Sequence, residues 1–255
     1  MAQSSAAAPC LFSILLRAEV DVPDDVQTRA SVNRREFLQS AAVGAVIGVA
    51  APSVPARRLW HRLATRPEVP SDPALEELLA GNRRFTANRL TSRQQDLATL
   101  RERTAEKQEP FAAVLACADS RVPVELLFDQ SIGQIFVTRV AGNIVTPELI
   151  ASLEYAVAVL GVRTLLVLGH TNCGAVKAAM KTDTVPGQIS TLYQHIRPAV
   201  QSSGGDVAKA IAANARLQAD LLRTSSTVIR DATAKGTLSV AAAVYDLATG
   251  KVVVT

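Results

Sequence analysis

The sequence predicts an α/β fold, a mostly parallel central β-sheet flanked by helices, with a helical arm on its N-terminal side. Two uncharged apolar runs of strand length, Phe111 to Ala116 and Thr164 to Gly169, have the look of strands buried on both faces. Around them lie longer stretches in which apolar residues recur at helical spacing. The two kinds of segment alternate along the chain, and such alternation builds a sheet whose strands run the same way.

The elements follow in order. Asp72-Pro73 reads as an N-cap followed by proline in the first turn, where the missing N–H costs nothing, and opens a helix from Ala74 to about Asn88. More helix is expected between Leu90 and Glu106, completing the arm. The strand Phe111 to Ala116 comes next, then a second strand from Gly133 to Arg139 and a helix from about Pro147 to Leu160. After the strand Thr164 to Gly169, a helix starts behind Cys173 and runs through Ala175 to Met180. Apolar spacing is again helical from Ile189 to Ala234. Leu238 to Tyr245 and Lys251 to Val254 read as a terminal hairpin turning at Ala248-Thr249-Gly250.

Composition narrows the class of protein. Hydrophobic residues make up 48% of the chain and aromatics only 4%, so the core has to be assembled from Ala, Val, Leu and Ile. The net charge of +4 is spread along the sequence without a basic block or interleaved aromatics, which argues against a nucleic-acid partner. Residues 72–255 form one domain of ordinary size, preceded by a linker over residues 57–71. There are three cysteines, and Cys10 lies far from the other two, in the N-terminal segment.

Those other two sit in the segments that carry chemistry. Cys117-Ala118-Asp119-Ser120-Arg121 follows the first apolar strand, and His170-Thr171-Asn172-Cys173-Gly174 follows the other. In a parallel sheet both lie at the carboxyl rim, where open α/β sheets place their sites. Cys117 and Cys173 have three plain readings: small buried residues, a disulfide, or a redox pair. His170 has one, a hydrogen-bonded loop histidine. The neighbouring Asp and Arg, and the His-x-x-Cys-Gly turn into a helix, favour a fourth. In this reading Cys117, His170 and Cys173 are three ligands of a zinc ion whose open position takes water, the pattern of a catalytic rather than a structural site.

Such an ion acidifies its bound water enough to supply hydroxide near neutral pH. Two thiolates cancel the formal charge of the metal, so further help is needed. Asp119 can accept a hydrogen bond from the hydroxide and aim its lone pair, and Arg121 can hold that carboxylate by a bidentate pair. The same Asp119 is close enough to act as a fourth ligand and close the site. His61 and His195 are read as bystanders.

These motifs resemble the β-class carbonic anhydrases, whose signatures are C-x-D-S-R and H-x-x-C. The likeness runs on through Arg139-Val140-Ala141-Gly142-Asn143, Ser152 to Gly161 and the closing strand around Val240 to Asp246, covering roughly residues 72–255. The resemblance implies zinc-dependent, reversible hydration of carbon dioxide to bicarbonate and a proton. It also implies an open state with Asp119 held by Arg121, a closed state with Asp119 on the metal, and a homodimer or higher homo-oligomer. Gln108 stands where members of the family place a glutamine that binds the substrate oxygen, often across a subunit interface; its other reading is a solvated loop residue. Gly174, at a helix start, can offer a backbone N–H to an anionic product. Two other functions fit the same ligands: hydrolysis of carbon disulfide or carbonyl sulfide, and a non-catalytic zinc protein. Asp119 and Arg121 argue against the last, since a structural site needs neither.

The N-terminal segment carries a separate signal. Asn33-Arg34-Arg35-Glu36-Phe37-Leu38 resembles a twin-arginine export motif and is followed by the apolar run Ala41 to Ala51, of signal-peptide length rather than membrane-spanning length. Val54-Pro55-Ala56 supplies the small residues a signal peptidase accepts, so residues 1–56 are expected to be removed after passage through the twin-arginine machinery to the periplasm or the exterior. Replacing Arg34 and Arg35 together by Lys should then leave an unprocessed, active enzyme inside the cell. Cell fractionation with N-terminal sequencing reads this out, and export of the double variant at the wild-type rate would refute it.

Overall fold

A computed structural model describes residues 72–255, apart from 93, 94, 96, 182 and 184. The expected signal peptide, the linker and His61 lie outside the described residues. The elements are α1 (Pro73–Thr86), α2 (Leu97–Thr104), β1 (Ala112–Ala116), α3 (Val124–Leu127), β2 (Ile135–Arg139), α4 (Pro147–Ala158), β3 (Thr164–His170) and α5 (Gly174–Ala179). A 3₁₀ turn (Ile189–Leu192) leads into α6 (Tyr193–Gln201), α7 (Val207–Ser225), α8 (Thr227–Ala234), β4 (Ser239–Tyr245) and β5 (Val252–Val254). The sheet order is β2-β1-β3-β4-β5; only β5, the partner of β4 in the terminal hairpin, runs antiparallel. The mostly parallel sheet predicted from the sequence is what forms.

Strand periodicity sorts the core into two layers. Ala113 and Leu115 of β1, with Leu165 and Val167 of β3, face Leu153 of α4, Leu222 of α7 and Ile229 of α8. The intervening Ala112, Val114 and Ala116, with Leu166 and Leu168, face Leu78 of α1 and Leu127 beside Phe128 at the end of α3. All residues of β1 and β3 are buried, so their unbroken apolar character reflects coverage on both faces.

Helix α1 is fixed at both ends. The Asp72 carboxylate accepts the N–H groups of Ala74 and Leu75 and also the Thr164 hydroxyl at the start of β3. Farther along, the buried Asn82 donates to the carbonyls of Leu127 and Gly250 and accepts the N–H of Val252, tying the helix to the terminal hairpin.

The further helix expected in the arm between Leu90 and Glu106 is α2, Leu97–Thr104. Between α1 and α2 the chain is anchored at Asp129, whose side chain is fully buried and accepts the N–H groups of Thr91 and Ser92 and the Thr91 hydroxyl. Burial would raise the Asp129 carboxyl, but Arg84, whose Nε lies 2.6 Å away, and those N–H groups hold it well below the usual carboxylate range. The second strand starts at Ile135, because Gly133 (φ +81°) belongs to the preceding turn. The long helical stretch predicted for 189–234 is three pieces, the 3₁₀ turn running directly into α6. It breaks at Gly204-Gly205, both at positive φ, and again at Ser226, whose Oγ caps α8 through the Ile229 N–H.

Helix α1 packs so closely that Gly81 leaves no room for a side chain: a Cβ there would lie 1.7 Å from the Phe128 carbonyl oxygen. Gly81→Ala should therefore force α1 away from its layer and cost about 3 kcal/mol of stability, the upper end of ordinary overpacking. Urea denaturation measures it; a stability unchanged from wild type would show that the helix can shift freely.

Candidate metal centre

The site is assembled where β1 and β3 end side by side. Cys117 follows the last residue of β1, and its loop is held by reciprocal backbone bonds between Ala116, Ala118 and Val140. His170 is the last residue of β3, paired with Tyr245 of β4, and the next N–H, that of Thr171, donates to the Tyr245 carbonyl. Asn172 then takes positive φ (59°), which turns the chain so that Cys173 becomes the N-cap of α5; Lys177 of that helix donates back to the Asn172 side chain. The ligand atoms of Cys117, His170 and Cys173 all lie within 4.8 Å of one another, and all three residues are buried.

The donor set fits a metal ion on its own evidence. His170 Nδ1 lies 2.9 Å from the Thr171 carbonyl oxygen, which can only accept, so the proton sits on Nδ1 and Nε2 presents its lone pair. That Nε2 is buried and has no hydrogen-bond partner, a condition shared among the described residues only with Thr138 Oγ1 and Asn143 Nδ2. A buried nitrogen lone pair facing two sulfurs is what a soft divalent ion such as zinc requires. Neither cysteine is in a disulfide. The two sulfurs hold their protons unequally. A hydrogen bond from Cys173 draws the Cys117 thiol down, against the cost of burial, helped by the N–H groups of Gly142 and Asp119. The same bond, with burial, pushes Cys173 up, opposed by the N–H groups of Val176 and Ala175 at the start of α5.

Asp119 lies at the open side of this set. Arg121 grips its carboxylate with Nε at 2.9 Å and Nη2 at 2.7 Å, and the Arg121 backbone N–H adds a third bond at 3.0 Å. The pair holds the Asp119 carboxyl well below the usual carboxylate range, with Oδ2 3.8 Å from His170 Nε2. Of the two placements that the sequence left open for Asp119, this is the one paired with Arg121.

The structure brings together Cys117, His170, Cys173, Asp119 and Arg121, with Gly174 as the first residue of α5. Gln108 it places elsewhere. That residue is exposed in the loop before β1, at the opposite end of a five-residue strand that spans about 17 Å, and so lies outside its own chain's site. Arg139, noted in the sequence only as part of a longer resemblance, proves to brace the first ligand loop: its Nε donates to the Cys117 carbonyl at 3.0 Å and its Nη2 to the Asp119 carbonyl at 2.6 Å. An arginine ending a strand beside the Cys117 strand was the available signal.

A parallel α/β sheet with a Cys₂His donor set and a braced carboxylate at its carboxyl rim defines a protein with an open zinc-type centre. Comparison with known proteins makes this particular. The carbonic anhydrase family profile matches residues 112–252. Carbonic anhydrase 2 of Mycobacterium tuberculosis is 34% identical over 188 residues, covering 71% of this chain and 90% of that protein. A carbonic anhydrase of Mycolicibacterium smegmatis is 35% identical over 70% of this chain and 90% of its own length. Among solved structures, the β-carbonic anhydrase of Coccomyxa in complex with acetazolamide superposes with a TM-score of 0.57 at 30% identity, covering 71% of this chain and 85% of that one. The chain belongs to the carbonic anhydrase family, in its β class.

Cys117→Ser, His170→Ala and Cys173→Ser should each purify without the one zinc ion per chain expected of the wild type, since two remaining donors cannot complete the site. Metal analysis by plasma mass spectrometry decides it, and full occupancy in Cys173→Ser would remove that residue from the ligand set.

Proposed function

We propose that the protein is a zinc carbonic anhydrase that interconverts carbon dioxide and bicarbonate, with Cys117, His170 and Cys173 as its metal ligands. The observation that carries this reading is the pairing of that donor set with an ionised carboxylate 3.8 Å from His170 Nε2. When bound, zinc supplies water acidic enough to yield hydroxide near neutral pH. The rest falls to this chain's residues. Asp119, kept ionised by Arg121, acts as a hydrogen-bond acceptor that orients the nucleophile toward the substrate carbon. Arg121 also keeps that carboxylate off the ligand position, which corresponds to the open state. Gly174 offers its backbone N–H to the anionic product beside Cys173.

Gln108, remote from its own site, serves in this reading as a substrate contact for a second copy of the chain, in a homodimer or larger homo-oligomer. Export through the twin-arginine pathway suits the same chemistry. Proteins that use such signals cross folded, and zinc loaded in the cytoplasm would reach an oxidising compartment already holding Cys117 and Cys173 as ligands.

Stopped-flow hydration of carbon dioxide is the test. Asp119→Ala is expected to retain zinc and lose turnover by about 100-fold or more, the cost of misplacing one reacting group. Arg121→Ala should lose activity in the same direction. Wild-type rates in both variants would remove the pair from the mechanism, and absence of hydration by the zinc-loaded wild type would overturn the function.

A further inference from the structure

The two thiolates of the donor set differ in their surroundings. Cys117 Sγ receives a backbone hydrogen bond from Gly142 at 3.3 Å, from a loop that is itself held by helix α7. Gly142 sits at φ +79°, a backbone conformation that favours glycine, and a Cβ there would press on the tip of Ile196, whose Cδ1 lies 2.7 Å away. The loop's path is set by two α7 residues one turn apart, Asn214 and Gln218, at 1% and 0% exposure. Asn214 Nδ2 donates to the Gly142 carbonyl at 2.9 Å. Gln218 Oε1 accepts the Val145 N–H at 2.8 Å, and its Nε2 donates to Asn214 Oδ1 at 3.1 Å and to the His195 carbonyl at 3.0 Å. Every amide group of the two side chains except one N–H of Asn214 is thereby assigned a partner.

We infer that Asn214 and Gln218 are positioning residues of the metal centre: through the 142–145 loop they aim the Gly142 N–H at Cys117 Sγ. The inference rests on the zinc reading above. A hydrogen bond to a metal-bound thiolate withdraws charge from sulfur, so the metal keeps more of its own positive charge. That matters where two thiolates would otherwise neutralise a divalent ion. A buried network that served folding alone would stop at the loop; this one ends on a ligand atom.

The test uses cobalt(II) in place of zinc, since its sulfur-to-metal charge-transfer absorption reports the electron density on the thiolates. In full-length Asn214→Leu, similar in volume but unable to donate, the band should move to longer wavelength than in wild type. Zinc affinity, measured by chelator competition, should fall about 10- to 100-fold, the usual effect of an outer-shell partner. Gln218→Met should shift both in the same direction. Ser226→Ala, which removes the α8 cap, controls for lost stability and should leave the band in place. If Asn214→Leu does not fold, Asn214→Ser, also unable to reach the Gly142 carbonyl, takes its place. A band and an affinity unchanged in the folded variants would overturn the positioning role while leaving the zinc site intact. Failure of the wild type to bind cobalt or zinc would overturn both.

Discussion

The site depends on the parallel pairing of β1 with β3. Their register runs from Ala112 opposite Thr164 to Ala116 opposite Leu168, so the residue after β1 and the last residues of β3 arrive at one height on the carboxyl rim. Zinc bonds to sulfur and nitrogen are about 2.0–2.3 Å long, and a slip of two residues would separate the donors by roughly 6.6 Å along the strands. A slip of one would turn each strand's side chains to the opposite layers, which are unlike in their helices. The apolar packing of two buried strands therefore sets the position of polar atoms that contribute little to folding themselves. Layers built mainly of Ala, Val and Leu, with few aromatics such as Phe128, suffice for this.

Charge is managed at the rim by few groups. Two sulfurs and the Asp119 carboxylate would place three anionic groups around one point, and Arg121 withdraws one of them by gripping both carboxylate oxygens. Arg139 uses its guanidinium differently, holding two main-chain carbonyls, so that the peptide bearing the first ligand and the one bearing the carboxylate move as a unit. Arginine suits both tasks because its donors form a planar fork, matched to paired oxygens as an ammonium is not.

Much of this was readable in the sequence because local pattern and global fold agree there. Phe111 to Ala116 and Thr164 to Gly169 are apolar throughout since both faces are covered, and the ligand motifs follow them directly. What could not be read rests on contacts between distant residues. One such contact is that of Asp129 with the N–H groups of Ser92 and Thr91, 37 and 38 residues before it. The long helical stretch after Ile189 was broken by two glycines and a serine cap, which apolar spacing does not register. The links from Asn214 to Gly142 and from Gln218 to Val145 span 72 and 73 residues, and neither residue lies in a recognisable motif. Gln108 shows the opposite case: its place in the sequence matched a family pattern, while strand direction carries it to the far end of the sheet.

The unequal environments of Cys117 and Cys173 have a thermodynamic consequence for metal uptake. The hydrogen bond from Cys173 and the backbone N–H groups around it hold the Cys117 thiol below its ordinary range, whereas the same bond and burial push Cys173 up, so the two sulfurs do not give up their protons together. Coordination needs both sulfurs as thiolates, so metal binding releases protons and by linkage the apparent zinc constant rises with pH. Acidification of the surroundings thus shifts the balance away from this chain and toward competing chelators. The reaction attributed to the site itself changes hydrogen-ion activity, which makes the medium in which the enzyme works a determinant of how firmly it keeps its metal.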